Sequence, residues 1–213
     1  MLQSLYDFWV AAAGSTPLEW VAVLTGIACV WLAARESLWN FPVAIVSCGL
    51  YVVVYHGARL YADRNLQVLF ILMSLYGWYE WLYGGARKTE LKVSRTRPFE
   101  WVLLLVGVAL FTFGFGYYLQ HYTDDSLPHW DSLTTAISLA AQYLMMRKRL
   151  ENWWLWILVD ALYVPILWHK ELYPTSGLYA VYLVLATYGY LEWRRAEAKA
   201  KADSITSAPL PVS

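Results

Sequence analysis

The sequence predicts an all-α membrane protein: seven transmembrane helices forming two parallel three-helix repeats joined by a linker helix, a 3+1+3 arrangement. Three observations predict it. The 213 residues are 59% hydrophobic and only 15% charged, where an ordinary soluble domain carries about 25% charged residues. Stretches such as 18–34, 39–55 and 99–119 hold almost no ionisable group, and a helix needs roughly 20 such residues to cross the hydrocarbon. The chain also repeats itself at an offset of 112 residues.

Seven apolar segments follow in order, near 18–34, 39–56, 65–84, 99–120, 132–146, 152–169 and 176–193. Each reads as helix because lipid offers backbone N–H and C=O groups no partner. Ahead of them, Leu5 to Gly14 is short and interrupted by Asp7, so it reads as an interfacial segment rather than a span. The 13 Trp and 17 Tyr suit interfacial belts and stacking surfaces. Cys29 and Cys48 both fall within spans and suggest neither a disulfide framework nor a metal cluster.

The offset aligns Asn40–Trp81 with Asn152–Trp193 without a gap, and twelve of the 42 positions are identical. Tyr-Gly-x-x-Glu-Trp closes both units, at Tyr76–Trp81 and Tyr188–Trp193, and Arg35 and Arg147 fall in register upstream. The expected organisation is an N-terminal interfacial segment (1–17), a first repeat (18–84), a stretch with a basic loop, linker helix and acidic loop (85–131), a second repeat (132–195) and a tail (196–213). Three helices plus one connector restore the starting direction, so the repeats are parallel. A small-molecule transport site is then expected near mid-membrane, between the triplets.

Seven spans place Arg59, Arg64 and Lys170 on one side of the membrane and the other thirteen Lys and Arg on the opposite side. The excess of positive charge marks the cytoplasm. The N-terminus is therefore expected outside and the C-terminus inside. The net charge is zero, and nucleic acid is not an expected partner.

Asp160 is the one carboxylate near the middle of a span, a costly position that points to a cavity or to a protonated acid bonded to a neighbouring helix. Asn152, Trp156, Asp160 and Tyr163 recur at helical spacing and share a face, with Trp153 adding a second ring. The equivalent face of the second segment has Asn40, Ala44, Cys48 and Tyr51, so the site is expected to be asymmetric. Thr135, Ser138 and Gln142 stripe the fifth segment, and Gln67, Ser74 and Trp78 share a face of the third. Amides, hydroxyls and indoles without a nucleophile–base pair bind a solute rather than cleave it, so no catalytic residue, metal or cofactor is expected. A retinal-type receptor is excluded in the same way: 176–193 contains no lysine for a Schiff base.

Several stretches carry a family resemblance: Leu60-Tyr61-Ala62-Asp63 with Asn65-Leu66-Gln67; Tyr76-Gly77-Trp78; Glu151-Asn152-Trp153-Trp154-Leu155-Trp156-Ile157 with Asp160; and Leu172-Tyr173. In order and spacing, over about 18–195, the chain resembles the PnuC family of vitamin-precursor transporters, with a SWEET-like helix arrangement. The resemblance implies facilitated diffusion of nicotinamide riboside across the bacterial cytoplasmic membrane, with a cytoplasmic kinase trapping the product, and a homo-oligomer, a trimer in the family. The Trp153-x-x-Trp156 pair after Asn152 looks like the signature of the nicotinamide riboside branch. The implied substrate site comprises Asn40, Gln67, Trp78, Gln142, Asn152, Trp153, Trp156, Asp160, Tyr163 and Tyr188. A cationic pyridinium ring suits indole faces, and its carboxamide and ribose hydroxyls suit the amides. Thiamine, also a cationic aromatic, is the nearest competitor, and Asp160 leaves proton coupling open as an alternative to uniport.

Overall fold

The structure is a computed structural model describing residues 17–57, 61–123, 127–169 and 173–206. Among these residues seven α-helices run in order: α1 Pro17–Ala34, α2 Asn40–Gly57, α3 Tyr61–Tyr83, α4 Pro98–Tyr122, α5 Pro128–Met146, α6 Asn152–His169 and α7 Tyr173–Thr206. The expected N-terminal interfacial segment lies outside the described residues.

The helices distribute polarity inside out. Leu24, Val53, Leu72, Leu105, Leu110, Phe113 and Val184 are exposed, while Ser47, Ser74, Ser132, Thr134, Asn152, Asp160 and Ser176 are buried. Water would penalise that arrangement, whereas lipid favours it. Of the seven, α2 and α4 are long and apolar enough to cross a bilayer on length and composition alone. The enclosed polar side chains are spread over α2, α3, α5, α6 and α7.

Packing follows the repeat. In the first triplet α1 packs on α2 and α2 on α3; in the second α5 packs on α6 and α6 on α7. The triplets meet twice, where α3 packs on α5 and where α7 packs on α1, which closes a six-helix ring. The linker α4 packs on α5. There Gly116 admits close approach: a Cβ on it would lie 2.8 Å from His129 Nδ1 of α5.

The 112-residue offset is written into the bonds. The Trp81 indole of α3 donates to the Met145 carbonyl of α5 at 3.0 Å, and the Trp193 indole of α7 donates to the Ala33 carbonyl of α1 at 3.0 Å. Both donors and both acceptors are 112 residues apart in sequence. Asn40 Nδ2 donates to the Ser37 carbonyl and Asn152 Nδ2 to the Arg149 carbonyl, each at 2.6 Å. Phe41 and Trp153, also equivalent, sit against Gly77 and Gly189. Each makes an edge-on contact at 87° with the tryptophan that closes its repeat, Trp81 or Trp193.

α1 and α5 end alike. Ser37 N–H donates to Leu32 O and Glu36 N–H to Ala33 O, while Arg149 N–H donates to Leu144 O and Lys148 N–H to Met145 O. These are Schellman motifs, whose left-handed position usually holds glycine. Here it holds Glu36 at φ 54° and Lys148 at φ 51°.

Most of the described Lys and Arg gather at this one end of the bundle, in ion pairs that tie α3, the α3–α4 loop and α4 to the α5–α6 turn and to the extension of α7. Arg147 pairs with Glu80 at 2.9 Å, Arg149 with Glu100 at 2.7 Å, and Arg95 with Glu197 at 2.8 Å. Buried Glu151 accepts from the Thr96 backbone N–H and hydroxyl at 2.9 and 2.8 Å. Ser94 N–H donates to Lys148 O, and Leu150 N–H donates to Ser94 O. Several helices run past their apolar segments: α3 starts at Tyr61, α5 at Pro128, the first-turn position proline tolerates, and α7 runs from Tyr173 to Thr206, its end lying in the tail that composition reads as a fading helix extension.

Candidate functional site

α6 is one-sided, as its spacing predicts. Asn152, Trp153, Val159 and Asp160 are buried, while Trp154, Leu158 and Ala161 on the other side are exposed. Along that inward face the predicted residues fall at two levels. Seven residues separate Trp153 from Asp160, about 10 Å of helix.

At the central level Asp160 is 4% exposed, and no cation stands against it among the described residues. A cluster of tyrosines from α2, α6 and α7 lies near this level. The Tyr163 hydroxyl lies 2.9 Å from Thr134 Oγ1 of α5, and its ring is 4.6 Å from that of Tyr179 on α7. Tyr179 meets Tyr182 edge-on at 5.9 Å. Both Tyr179 and Tyr182 lie within electrostatic range of Asp160. The Tyr182 hydroxyl reaches α1 at Gly26, where a Cβ would stand 2.5 Å from its oxygen. From α2, Tyr51 and Tyr55 stack on each other at 5.6 Å, and they come within range of Tyr182 and Tyr179 respectively.

The other predicted residues are spread over α2, α3, α5, α6 and α7, and none of these contacts involves them. Asn40 and Asn152 each spend a side-chain N–H on the turn preceding their own helix, and Asn152 Oδ1 is left buried without a partner. Trp153 is 1% exposed, its ring pressed on Gly189 and edge-on to Trp193, with its indole N–H also unpartnered. Trp78, Trp156 and Tyr188 are partly buried against the same aromatic core. Gln67 on α3 and Gln142 on α5 are half-buried. Ser138 donates to the Thr134 carbonyl of its own helix.

Sequence reasoning misses Tyr55, Tyr179 and Tyr182. A usable signal exists: counting back from Trp193 and Gly189 at helical spacing gives Ala186, Tyr182, Tyr179 and Ser176, the inward face of α7. Among the described residues no group of His, Cys, Asp and Glu could hold a metal ion.

A family model described as nicotinamide mononucleotide transporter matches residues 16–195. The chain belongs to this family, the PnuC transporters. It is a multi-pass membrane transporter and not an enzyme. The nicotinamide riboside transporter PnuC of Escherichia coli (strain K12) is 27% identical over 209 residues, 85% of this chain and 87% of that one. The nicotinamide riboside transporter PnuC of Neisseria mucosa is 29% identical, over 89% of this chain and 73% of its own. The riboflavin/roseoflavin transporter RibM of Streptomyces davaonensis is 28% identical, over 82% and 83%. Among solved structures, a crystal structure of the vitamin B3 transporter PnuC superposes with a TM-score of 0.70 at 26% identity, covering 93% of this chain and 91% of its own.

Proposed function

We propose that this PnuC-family protein imports nicotinamide riboside by facilitated diffusion, through alternating access about a central site, and that a cytoplasmic kinase traps the product. One observation carries the choice of a cationic solute: Asp160 is buried near a tyrosine cluster and pairs with no cation among the described residues; the relatives named as nicotinamide riboside transporters favour that solute over thiamine. A buried carboxylate without a counter-charge is costly, and a cationic aromatic solute supplies both the charge and a ring for the tyrosine and tryptophan faces. Nicotinamide riboside is such a solute. Its ribose hydroxyls suit Tyr163, Thr134 and Tyr179, and its carboxamide suits Gln142, Gln67 or the open Asn152 Oδ1. The protein sits in the bacterial inner membrane with its basic end, which holds the C-terminus, in the cytoplasm.

Riboflavin is the second reading, favoured by a riboflavin/roseoflavin transporter as similar to this chain as the nicotinamide riboside carriers are. Riboflavin is uncharged, which separates the two. Calorimetry of nicotinamide riboside, thiamine, riboflavin and thymidine against the native chain and Asp160→Asn decides it. Nicotinamide riboside should bind tightest and lose about tenfold or more in affinity when the carboxylate is removed. Riboflavin binding that survives Asp160→Asn, with no binding of nicotinamide riboside, would reverse the assignment. Uptake into proteoliposomes above the external concentration would refute uniport.

A further inference from the structure

Repeat-equivalent residues that touch each other must straddle the pseudo-twofold axis, because the operation that relates the repeats exchanges them. Two such pairs stand among the described residues. Trp81 and Trp193 have ring centroids 5.6 Å apart, and both are almost fully buried. Lys148 Nζ pairs with Glu36 Oε2 at 2.9 Å. The same ammonium stands 4.6 Å over the Trp81 ring, which stacks the ion pair directly on the tryptophan pair. In a transporter of parallel repeats the substrate path runs along this axis.

On the far side of the ion pair the bundle opens. Glu36 and Lys148 line a cleft of about 620 Å³ with Glu90, Lys92, Lys199 and Asp203. On the near side lie the tryptophans and then the tyrosine cluster near Asp160. We propose that Glu36 and Lys148, backed by Trp81 and Trp193, are the cytoplasmic gate, which this conformation holds shut. The assignment rests on the transport reading above and on its placement of the basic end in the cytoplasm.

The backbone supplies an independent argument. Both charged side chains stand at left-handed positions of Schellman caps, at φ 54° and 51°, where glycine carries no penalty and a side chain does. The ion pair gives a reason to keep a side chain at both equivalent turns, since these are the cap positions from which the two repeats meet on the axis. An axial pair suits a gate because alternating access requires the repeats to separate at this end, and a single salt bridge backed by an aromatic contact is strong enough to close it and weak enough to open.

The test uses the full chain in membrane vesicles and an impermeant maleimide added from the side that holds the C-terminus. Cys29 and Cys48 are the reporters. Cys48, the repeat equivalent of Asp160, lies at the central level, and Cys29 stands nearer the tryptophans, its thiol on the Asn40 carbonyl at 3.5 Å. Native protein should label slowly from this side. Glu36→Gly and Lys148→Gly should each raise the rate about tenfold as the open state gains population. Glycine relaxes the left-handed turn, so these variants are not expected to misfold. The reversed pair, Glu36→Lys with Lys148→Glu, should return the rate to native, because the pseudo-twofold places an ammonium introduced at position 36 over Trp193 as that of Lys148 stands over Trp81. Unchanged labelling in both glycine variants, or a reversed pair that labels as fast as either, overturns the gate. Binding of nicotinamide riboside by calorimetry is read separately on the same proteins. If it fails in the native chain while labelling still follows the pair, the substrate reading falls and the gate stands.

Discussion

Gly189 has no room for a side chain. A Cβ there would lie 2.6 Å from Trp153 Cη2 and Cζ2 and 2.7 Å from Cε2. Trp153 cannot retreat, because its edge rests on Trp193 at a centroid distance of 5.4 Å. Overpacking of this kind costs about 1–3 kcal/mol, against a helix-propensity gain of about 1 kcal/mol for Gly→Ala. Gly189→Ala should therefore lower the thermal midpoint in detergent. Gly107 on α4 has nothing within 4 Å of its Cβ position, so Gly107→Ala should leave the midpoint unchanged or raise it. Equal midpoints for the two variants would show that the Trp153 ring yields. This packing was only half legible from sequence. Tyr-Gly-x-x-Glu-Trp marks Gly77 and Gly189 as special, but the residue that fills each gap is Phe41 in one repeat and Trp153 in the other. A comparison by identity passes over that pair, and Trp153 then looks free to be a ligand ring. The Glu36 and Lys148 pair is hidden in the same way: the offset highlights Arg35 and Arg147 because they match, while the neighbouring position matters because it differs.

At the scale of elements, the ends of α2 and α6 are the most legible, and the starts of α3 and α5 and the reach of α7 are less so. α2 and α6 begin at Asn40 and Asn152 and end at Gly57 and His169, each shifted by 112 residues, so one repeat dates the other. The extension of α7 past Trp193 reads from composition as a helix fading into a tail, yet what anchors it is a long-range contact. Glu197 accepts two hydrogen bonds at 3.0 Å from Arg95 Nε and one at 2.8 Å from Nη2, plus one at 2.8 Å from Lys201. These bonds, Arg95 first, hold the Glu197 carboxyl down at about 2 from the usual 4.5, and the same pairing raises the Arg95 guanidinium. A depressed acid stabilises above its ordinary value and loses that stabilisation as pH falls toward the folded value. Hydrogen exchange of residues 194–203, corrected for intrinsic rates, should therefore rise as pH drops below about 4.5 and approach the level of Glu197→Gln, which should show no such dependence. Parallel pH profiles in the two proteins would mean that the anchor lies elsewhere.

For the molecule as a whole, the consequence of two equivalent triplets is two equivalent seams. One seam is α3 on α5, closed by the Trp81 indole and the Met145 carbonyl; the other is α7 on α1, closed by the Trp193 indole and the Ala33 carbonyl. All four groups are buried, and each carbonyl also accepts a cap N–H, from Lys148 or Glu36, so removing either indole N–H deletes one buried hydrogen bond without orphaning its carbonyl. Trp81→Phe and Trp193→Phe keep an aromatic ring and delete the donor. Each should destabilise by about 1 kcal/mol, and the two losses should agree within about 0.5 kcal/mol if the seams are thermodynamically as well as geometrically alike. The double variant should not be additive, because the two rings touch at 5.6 Å, and neighbours in contact couple. Unfolding by denaturant in mixed micelles measures all three. A silent Trp193→Phe beside a costly Trp81→Phe would mean that one seam alone holds the repeats together. The α1–α7 side would then be free to part first, and the transporter would rock as a hinge about α3 and α5 rather than open symmetrically.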